Sequence, residues 1–204
     1  WKGHEWNLGG SQPTLKLGLT GATTSSNYAL SHTDSRWYHE GSGSPFNATL
    51  SCAGLPNANE MSWYAMYGDP RWDGDEVWTT MGHLYKGGIW FKKKSVLQAE
   101  HNYDTEKSAD GTTDLRTTYK YYNNNNSSIN SGLPSAADAN KYFYLSALGF
   151  YSSGRLHSVG GGYYWSSSAF PWNSNLTYSL DFSSGGVVVS YYSRDTGLRA
   201  EAFQ

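Results

Sequence analysis

Hydrophobic and polar positions do not keep one period along this chain. Through residues 1–50 the aromatics Trp1, Trp6, Trp37 and Tyr38 are scattered among Gly, Ser, Thr and Asn without a 3.6- or 2-residue repeat. That texture predicts short strands and loops, an N-terminal extension packed on the domain formed by residues 51–204. At Leu55 the pattern changes: Leu55-Pro56-Asn57, with Glu60 three positions after Asn57, precedes Met61-Ser62-Trp63-Tyr64-Ala65-Met66 at helical spacing. A capping residue followed by Glu at the third helical position predicts a helix over about 58–67, ended by Gly68-Asp69-Pro70. Asp73, Asp75 and Glu76 stand ahead of Val77–Tyr85, where acidic side chains suit the positive end of a helix dipole. They predict a second helix over about 76–86, stopped by Gly87-Gly88.

Residues 108–135 contain Asn123-Asn124-Asn125-Asn126-Ser127-Ser128, too polar to offset the entropy of ordering, and read as a long, partly mobile loop. After Lys141, β-branched and aromatic runs punctuated by Gly and Ser predict strands at 142–145, 162–166, 178–182, 187–192 and 198–203. Alternation puts Tyr178, Leu180 and Phe182 on one face, with Ser179, Asp181 and Ser183 on the other. Tyr163-Tyr164-Trp165 reads as core and inner sheet. Two short helices followed by an irregular antiparallel sheet make an α+β fold.

Composition adds a bias toward recognition. Seventeen Tyr and nine Trp in 204 residues supply rigid contact area with a polar handle. A net charge of −2 excludes the electrostatic footprint of a nucleic-acid binder, and Lys92-Lys93-Lys94 is too short a basic run to make one. No apolar run reaches membrane-spanning length. The chain opens at Trp1 without a signal-peptide core, as a processed or trimmed piece does.

Metal and nucleophile signals are weak. A single cysteine, Cys52, rules out an internal disulfide and a cysteine zinc site, and it reads as a small buried hydrophobe. His4, His32, His39, His83, His101 and His157 are dispersed without zinc-ligand spacing, and His83 reads as a packed or hydrogen-bonded residue. Asp73, Asp75 and Glu76 could hold a hard cation, but helix capping explains them more cheaply. Trp172-Asn173-Ser174-Asn175 superficially resembles the Trp-Asn-Asp calcium motif of sugar-binding lectins, yet Asp is replaced and no Glu-Pro-Asn or Gln-Pro-Asp partner exists. No G-x-S-x-G elbow is present. The expectation is therefore no cofactor, no required calcium or zinc, and no catalytic residue.

Three segments carry a family resemblance. Tyr142–Phe150, Gly160-Gly161-Gly162-Tyr163-Tyr164-Trp165-Ser166-Ser167-Ser168 and Tyr178-Ser179-Leu180-Asp181-Phe182 together resemble the C-terminal half of the major paralogous domain of bacterial surface proteins. Leu55-Pro56…Glu60-Met61-Ser62-Trp63 is similar to that family's helix start, so the likeness spans about Leu55 to Phe203. It implies a C-type-lectin-like fold presenting a binding face on an irregular sheet and its loops. The chain departs from the family at Arg199-Ala200-Glu201, where the family carries Ser-Val-Arg. Formylglycine-generating enzymes share the lectin-like fold but use a cysteine pair, which one Cys cannot supply.

Residue usage adds a further observation. Residues 142–200 contain no Lys, Glu, Gln or Met, whereas residues 1–141 contain twenty of these four types. At the earlier rate about eight are expected. With Trp, these are the residues that a codon ending in a pyrimidine cannot specify. Asn codons randomised at adenines would instead yield the residue types found at Ala169–Pro171, Ser179, Asp181, Ser183, Gly186, Val188, Ser190–Ser193 and, apart from Gly197, Asp195–Leu198. The region 142–204 is similar in this respect to the variable region of proteins diversified by retroelement mutagenesis; Trp172 is then either a fixed position or evidence against that likeness. The plain alternative is a Gly/Ser/Tyr-rich sheet that avoids long charged side chains.

Three functions stay open. The first is a ligand-binding module of a bacterial surface or secreted protein, an adhesin or receptor for a protein or glycan. Its site would be carried by Trp172, Asn173, Asn175, Tyr191, Tyr192, Arg194 and Asp195 together on one exposed face. The second is a structural fimbrial tip or surface lipoprotein domain. The third is a polysaccharide hydrolase, although Asp181, Asp195 and Glu201 are the sole acids after residue 141. The sequence leaves the ligand and the oligomeric state open.

Overall fold

Asn57 caps the first helix as the spacing predicts. In the computed structural model, which describes residues 54–80, 83–125, 129–152, 155–173, 175–194 and 196–204, helix α1 runs Ala58–Tyr67. The Asn57 side chain accepts the Glu60 N–H at 2.9 Å and Glu60 accepts the Asn57 N–H at 2.7 Å, a complete capping box. The expected extension over residues 1–50, Cys52 and Asp195 fall outside the described residues, as does the side chain of His83.

The second expected helix is a β-hairpin. Strands β1 (Arg71–Thr80) and β2 (His83–Lys92) pair antiparallel, with Trp78 opposite Tyr85. Those two rings stack at 4.9 Å, and the Trp78 indole donates to the Gly87 carbonyl at 2.8 Å. Aromatic and β-branched side chains in cross-strand register outweigh the acidic helix-start signal. The acids have another use: Asp73 Oδ1 accepts the N–H groups of both Asp75 and Glu76 at 3.1 Å, and the strand register shifts between Asp73 and Val77. Asp73 Oδ2 also accepts the Trp90 indole N–H at 3.2 Å, so this carboxylate shapes a bulge. Gly88 does not stop an element but lies within β2, where a Cβ would come within 2.4 Å of the Leu145 carbonyl oxygen on the next strand. The true second helix, α2 (Lys94–Ala99), has no side-chain cap, and so no start signal in sequence.

The strands after residue 141 largely follow expectation. They are β5 (Tyr142–Ser146), β6 (Phe150–Ser152), β7 (Arg155–His157), β8 (Gly162–Ala169), β9 (Leu176–Ser183) and β10 (Gly186–Ser193). Residues 198–203 form no strand: Arg199 makes a single bridge beside Tyr164, and the chain then returns toward the helices, where the Gln204 carbonyl accepts the Lys94 N–H at 2.6 Å. Two short strands lie inside the region expected to be loop, β3 (Tyr122–Asn125) and β4 (Asn130–Ser131). β3 pairs with β10 as an edge strand. Its Asn side chains do not prevent this, because the ladder uses backbone groups, Tyr122 is buried and Asn124 donates to the Ala65 carbonyl at 2.9 Å.

The result is α+β, with sheet orders β4-β1-β2-β5 and β3-β10-β9-β8 and the small β6-β7 hairpin. Pairing is antiparallel except for β1 with β4. Helix α1 packs against β3, β8, β9 and β10. Tyr64 of α1 has ring contacts to Phe91 at 6.3 Å, Phe143 at 5.6 Å and Phe203 at 5.3 Å, and the two larger sheets meet where the Phe91 ring lies 6.2 Å from that of Phe182. On its other flank α1 buries polar groups, each partnered by the long loop before β3. Asn59 donates to Asp114 and accepts the Leu115 N–H, Ser62 accepts the Ala109 N–H, and the Trp63 indole donates to the Lys107 carbonyl. That loop is fixed by such bonds despite its polarity.

Candidate binding face

The face of the β3-β10-β9-β8 sheet turned away from α1 carries the most concentrated polar and aromatic chemistry among the described residues. Register sets its rows. Tyr163, Asp181, Val188 and Asn123 lie side by side across the four strands, and Trp165, Ser179 and Ser190 form the next row. Tyr192 follows opposite Thr177. The intervening residues Tyr164, Leu180, Phe182, Val187 and Val189 are buried on the helix side. Tyr163-Tyr164-Trp165 is thus split: Tyr164 is core, whereas Tyr163 and Trp165 are half-buried on the outer face.

Asp181 is the centre of this face. Ser179 Oγ donates to its carboxylate at 2.8 Å, and the hydroxyls of Ser190 and Tyr192 on β10 stand near enough to favour its charged form. Burial pushes its pKa up to about 7, although the neighbouring hydroxyls of Ser179, Tyr192 and Ser190 pull the other way. Burial also raises the Tyr192 hydroxyl, and the neighbouring carboxylate raises it further. A cavity of about 360 Å³ opens over this group, lined among others by Asn123, Tyr163, Asp181, Gly186, Val188 and Tyr192. The Tyr163 and Tyr192 rings stand nearly perpendicular, 6.0 Å apart. Phe150 of the β6-β7 hairpin contacts both, at 4.9 and 5.8 Å.

The expected site residues do not share one face. Tyr191 and Tyr192 are consecutive on β10 and point to opposite sides of the sheet. Tyr191 packs on Phe170 at 4.3 Å and on Tyr119 at 5.9 Å. Trp172 is 67% exposed and meets Tyr119 at 5.5 Å, so Trp172 and Tyr191 form an aromatic ledge of their own, with Tyr119. Asn173 is a turn residue: its side chain accepts the Asn175 N–H at 2.9 Å and its carbonyl the Leu176 N–H at 3.0 Å. Asn175 is exposed and its carbonyl accepts the Arg194 N–H at 3.1 Å; Arg194 is half-buried.

The expected site does not include Asp181, Ser190, Tyr163 or Trp165, which the strand register gathers on the outer face. The signal was present in the alternation of β9, and carrying it across to β8 and β10 in register assembles the whole face. Among the described residues no three His, Cys, Asp or Glu side chains are placed to hold a metal ion, and no helix is long and apolar enough to cross a membrane. Comparison of the chain with protein-family models, curated proteins and solved structures gives no match.

Proposed function

We propose that this chain is a ligand-binding module of a bacterial surface or secreted protein, with a C-type-lectin-like fold and its binding site on the outer face of the β3-β10-β9-β8 sheet. One observation carries the reading: hydroxyls, aromatic rings and one carboxylate are gathered in register on a half-buried sheet face, above a cavity within the usual size range of ligand sites. Such a surface offers area from rigid rings and adaptable hydrogen bonding from Ser and Asn, as evolved binding faces do. Two motifs behind the family resemblance also touch. The Ser168 hydroxyl of the Trp165-Ser166-Ser167-Ser168 run accepts the Ala58 N–H at the start of α1, and the Ser167 N–H donates to Pro56.

Retroelement diversification fits the same face. Ser179, Asp181, Val188, Ser190 and Tyr192 are all of the residue types that a randomised Asn codon yields and lie on the outer side of the sheet, where Ser179 is covered and the other four are partly accessible. Buried Tyr178, Leu180 and Phe182 lie between them as scaffold. A protein varied at these positions would change its contacts and keep its core.

The test is to probe arrays of glycans and purified surface proteins with the chain and with a Trp165→Ala/Tyr192→Ala double variant. Retention of a specific ligand by the parent, lost in a folded variant, is the expected result. Polymer formation on gel filtration without any ligand would favour the structural alternative, and new reducing ends after incubation with polysaccharides would favour a hydrolase.

A further inference from the structure

We propose that the cavity over Asp181 receives an organic cation, the ammonium or guanidinium of a lysine or arginine side chain presented by a protein ligand. This rests on the outer face being the binding face, and it names the chemistry that face selects.

The Asp181 carboxylate is half-buried in the cavity floor, where Ser179 Oγ donates to it at 2.8 Å and the hydroxyls of Ser190 and Tyr192 lie on the neighbouring strand. Hydroxyls orient a carboxylate but bring no charge to offset its loss of hydration. Among the described residues every ion pair lies elsewhere, such as Lys120 with Asp110 at 2.6 Å or Lys92 with Glu100 at 2.7 Å. Asp110 shows the usual outcome of such pairing, its acidity strengthened by Lys120 and by Thr113, whereas Asp181 is shifted in the opposite sense. A ligand that brings positive charge gains the most from such a group.

The walls suit the same ligand. Tyr163 and Tyr192 both line the cavity, and aromatic faces attract ammonium and guanidinium groups. Asn123 and Asn125 on the edge strand add amide oxygens within the same lining. A cavity of about 360 Å³ lies at the small end of the ligand-site range and fits one side chain better than a run of sugar rings. Gly185 and Gly186 at the β9–β10 turn also line it and add no side chain to its wall.

The experiment uses the whole chain, isotope-labelled, titrated with N-acetyl-lysine methylamide and N-acetyl-arginine methylamide. N-acetyl-norleucine methylamide serves as the neutral control, and methyl glucoside as the sugar probe. The expected result is saturable shifts at Tyr163, Asp181 and Tyr192 with at least one cationic probe, with affinity about tenfold or more above norleucine. Asp181→Asn should remove that preference while the fold, checked by its amide spectrum, persists. Equal binding of norleucine, a preference surviving in Asp181→Asn, binding of the glucoside alone, or no binding at all would each overturn the proposal. Array ligands lost in Trp165→Ala/Tyr192→Ala but indifferent to Asp181→Asn would overturn the cation assignment and leave the binding face standing.

Discussion

Ser168 Oγ accepts the backbone N–H of Ala58 at 3.0 Å, across 110 residues of sequence. The N–H groups of a first helical turn have no partner within the helix, and this one is buried, so the hydroxyl answers a need the helix cannot meet itself. Ser168 lies in an irregular stretch of β8, where the register against β9 shifts between Trp165 and Ala169, and Ser166 Oγ accepts the Ser168 N–H at 3.0 Å. The local distortion aims Ser168 at α1. Helix α1 and the β3-β10-β9-β8 sheet are thereby held in one frame.

Ser168→Ala should destabilise the fold by about 1–3 kcal/mol, the usual cost of leaving a buried donor unsatisfied. Urea denaturation of the variant beside the parent measures it. A midpoint unchanged within error would show that the Ala58 N–H finds another partner.

Asp181 makes stability depend on pH in a direction opposite to that of an ion-paired carboxylate. Its pKa is raised to about 7 in the folded chain, against about 3.9 for an Asp in an unfolded one. Its contribution is therefore fully present below about pH 4 and is lost as pH rises through about 7. Asp181→Asn removes that loss. Relative to the parent, the variant should gain stability between pH 5 and pH 8, approximate values chosen to bracket the folded titration. Denaturation at the two pH values reads the difference, and a gap that stays constant, or narrows toward alkaline pH, would contradict the assignment.

The aromatic ledge at the other side of β10 separates two roles. Trp172 is 67% exposed, whereas Tyr191, 40% exposed, packs its ring 4.3 Å from that of Phe170. Trp172→Ala should change stability by no more than about 0.5 kcal/mol, as exposed positions do. Tyr191→Ala should cost about 1–3 kcal/mol, less than a fully buried aromatic. Thermal melts of the two variants rank them; the reverse order would mean that Trp172 anchors the loop and Tyr191 is dispensable.

Legibility in the sequence followed the range of the interactions. Helix α1 was readable to the residue because Asn57 and Glu60 are local signals, three residues apart. The β1-β2 hairpin was misread because an acidic cluster before an apolar run looks alike at a helix start and at a bulge; the Trp78–Tyr85 stack that decides between them forms only on pairing. β3 was unreadable for a related reason, since Tyr122–Asn125 is ordered by the backbone of β10 and not by its own side chains. For the site, alternation within β9 was right, but the single-face grouping of Tyr191 with Tyr192 ignored the same alternation on β10. Asp181, visible as an outer-face acid on β9, is not marked as a site residue by sequence because its environment comes partly from Ser190 and Tyr192 on the neighbouring strand.

The central claim is that the ligand lies on the outer face of the β3-β10-β9-β8 sheet. The most direct measurement is a chemical-shift map of the chain with the ligand that the arrays return. The account predicts that the largest shifts fall on Tyr163, Trp165, Ser179, Asp181, Ser190 and Tyr192, with Tyr178, Leu180 and Phe182 changing little. Shifts confined to Trp172, Tyr119 and Tyr191, or to the β1-β2 hairpin, would contradict it, as would arrays that return no ligand at all.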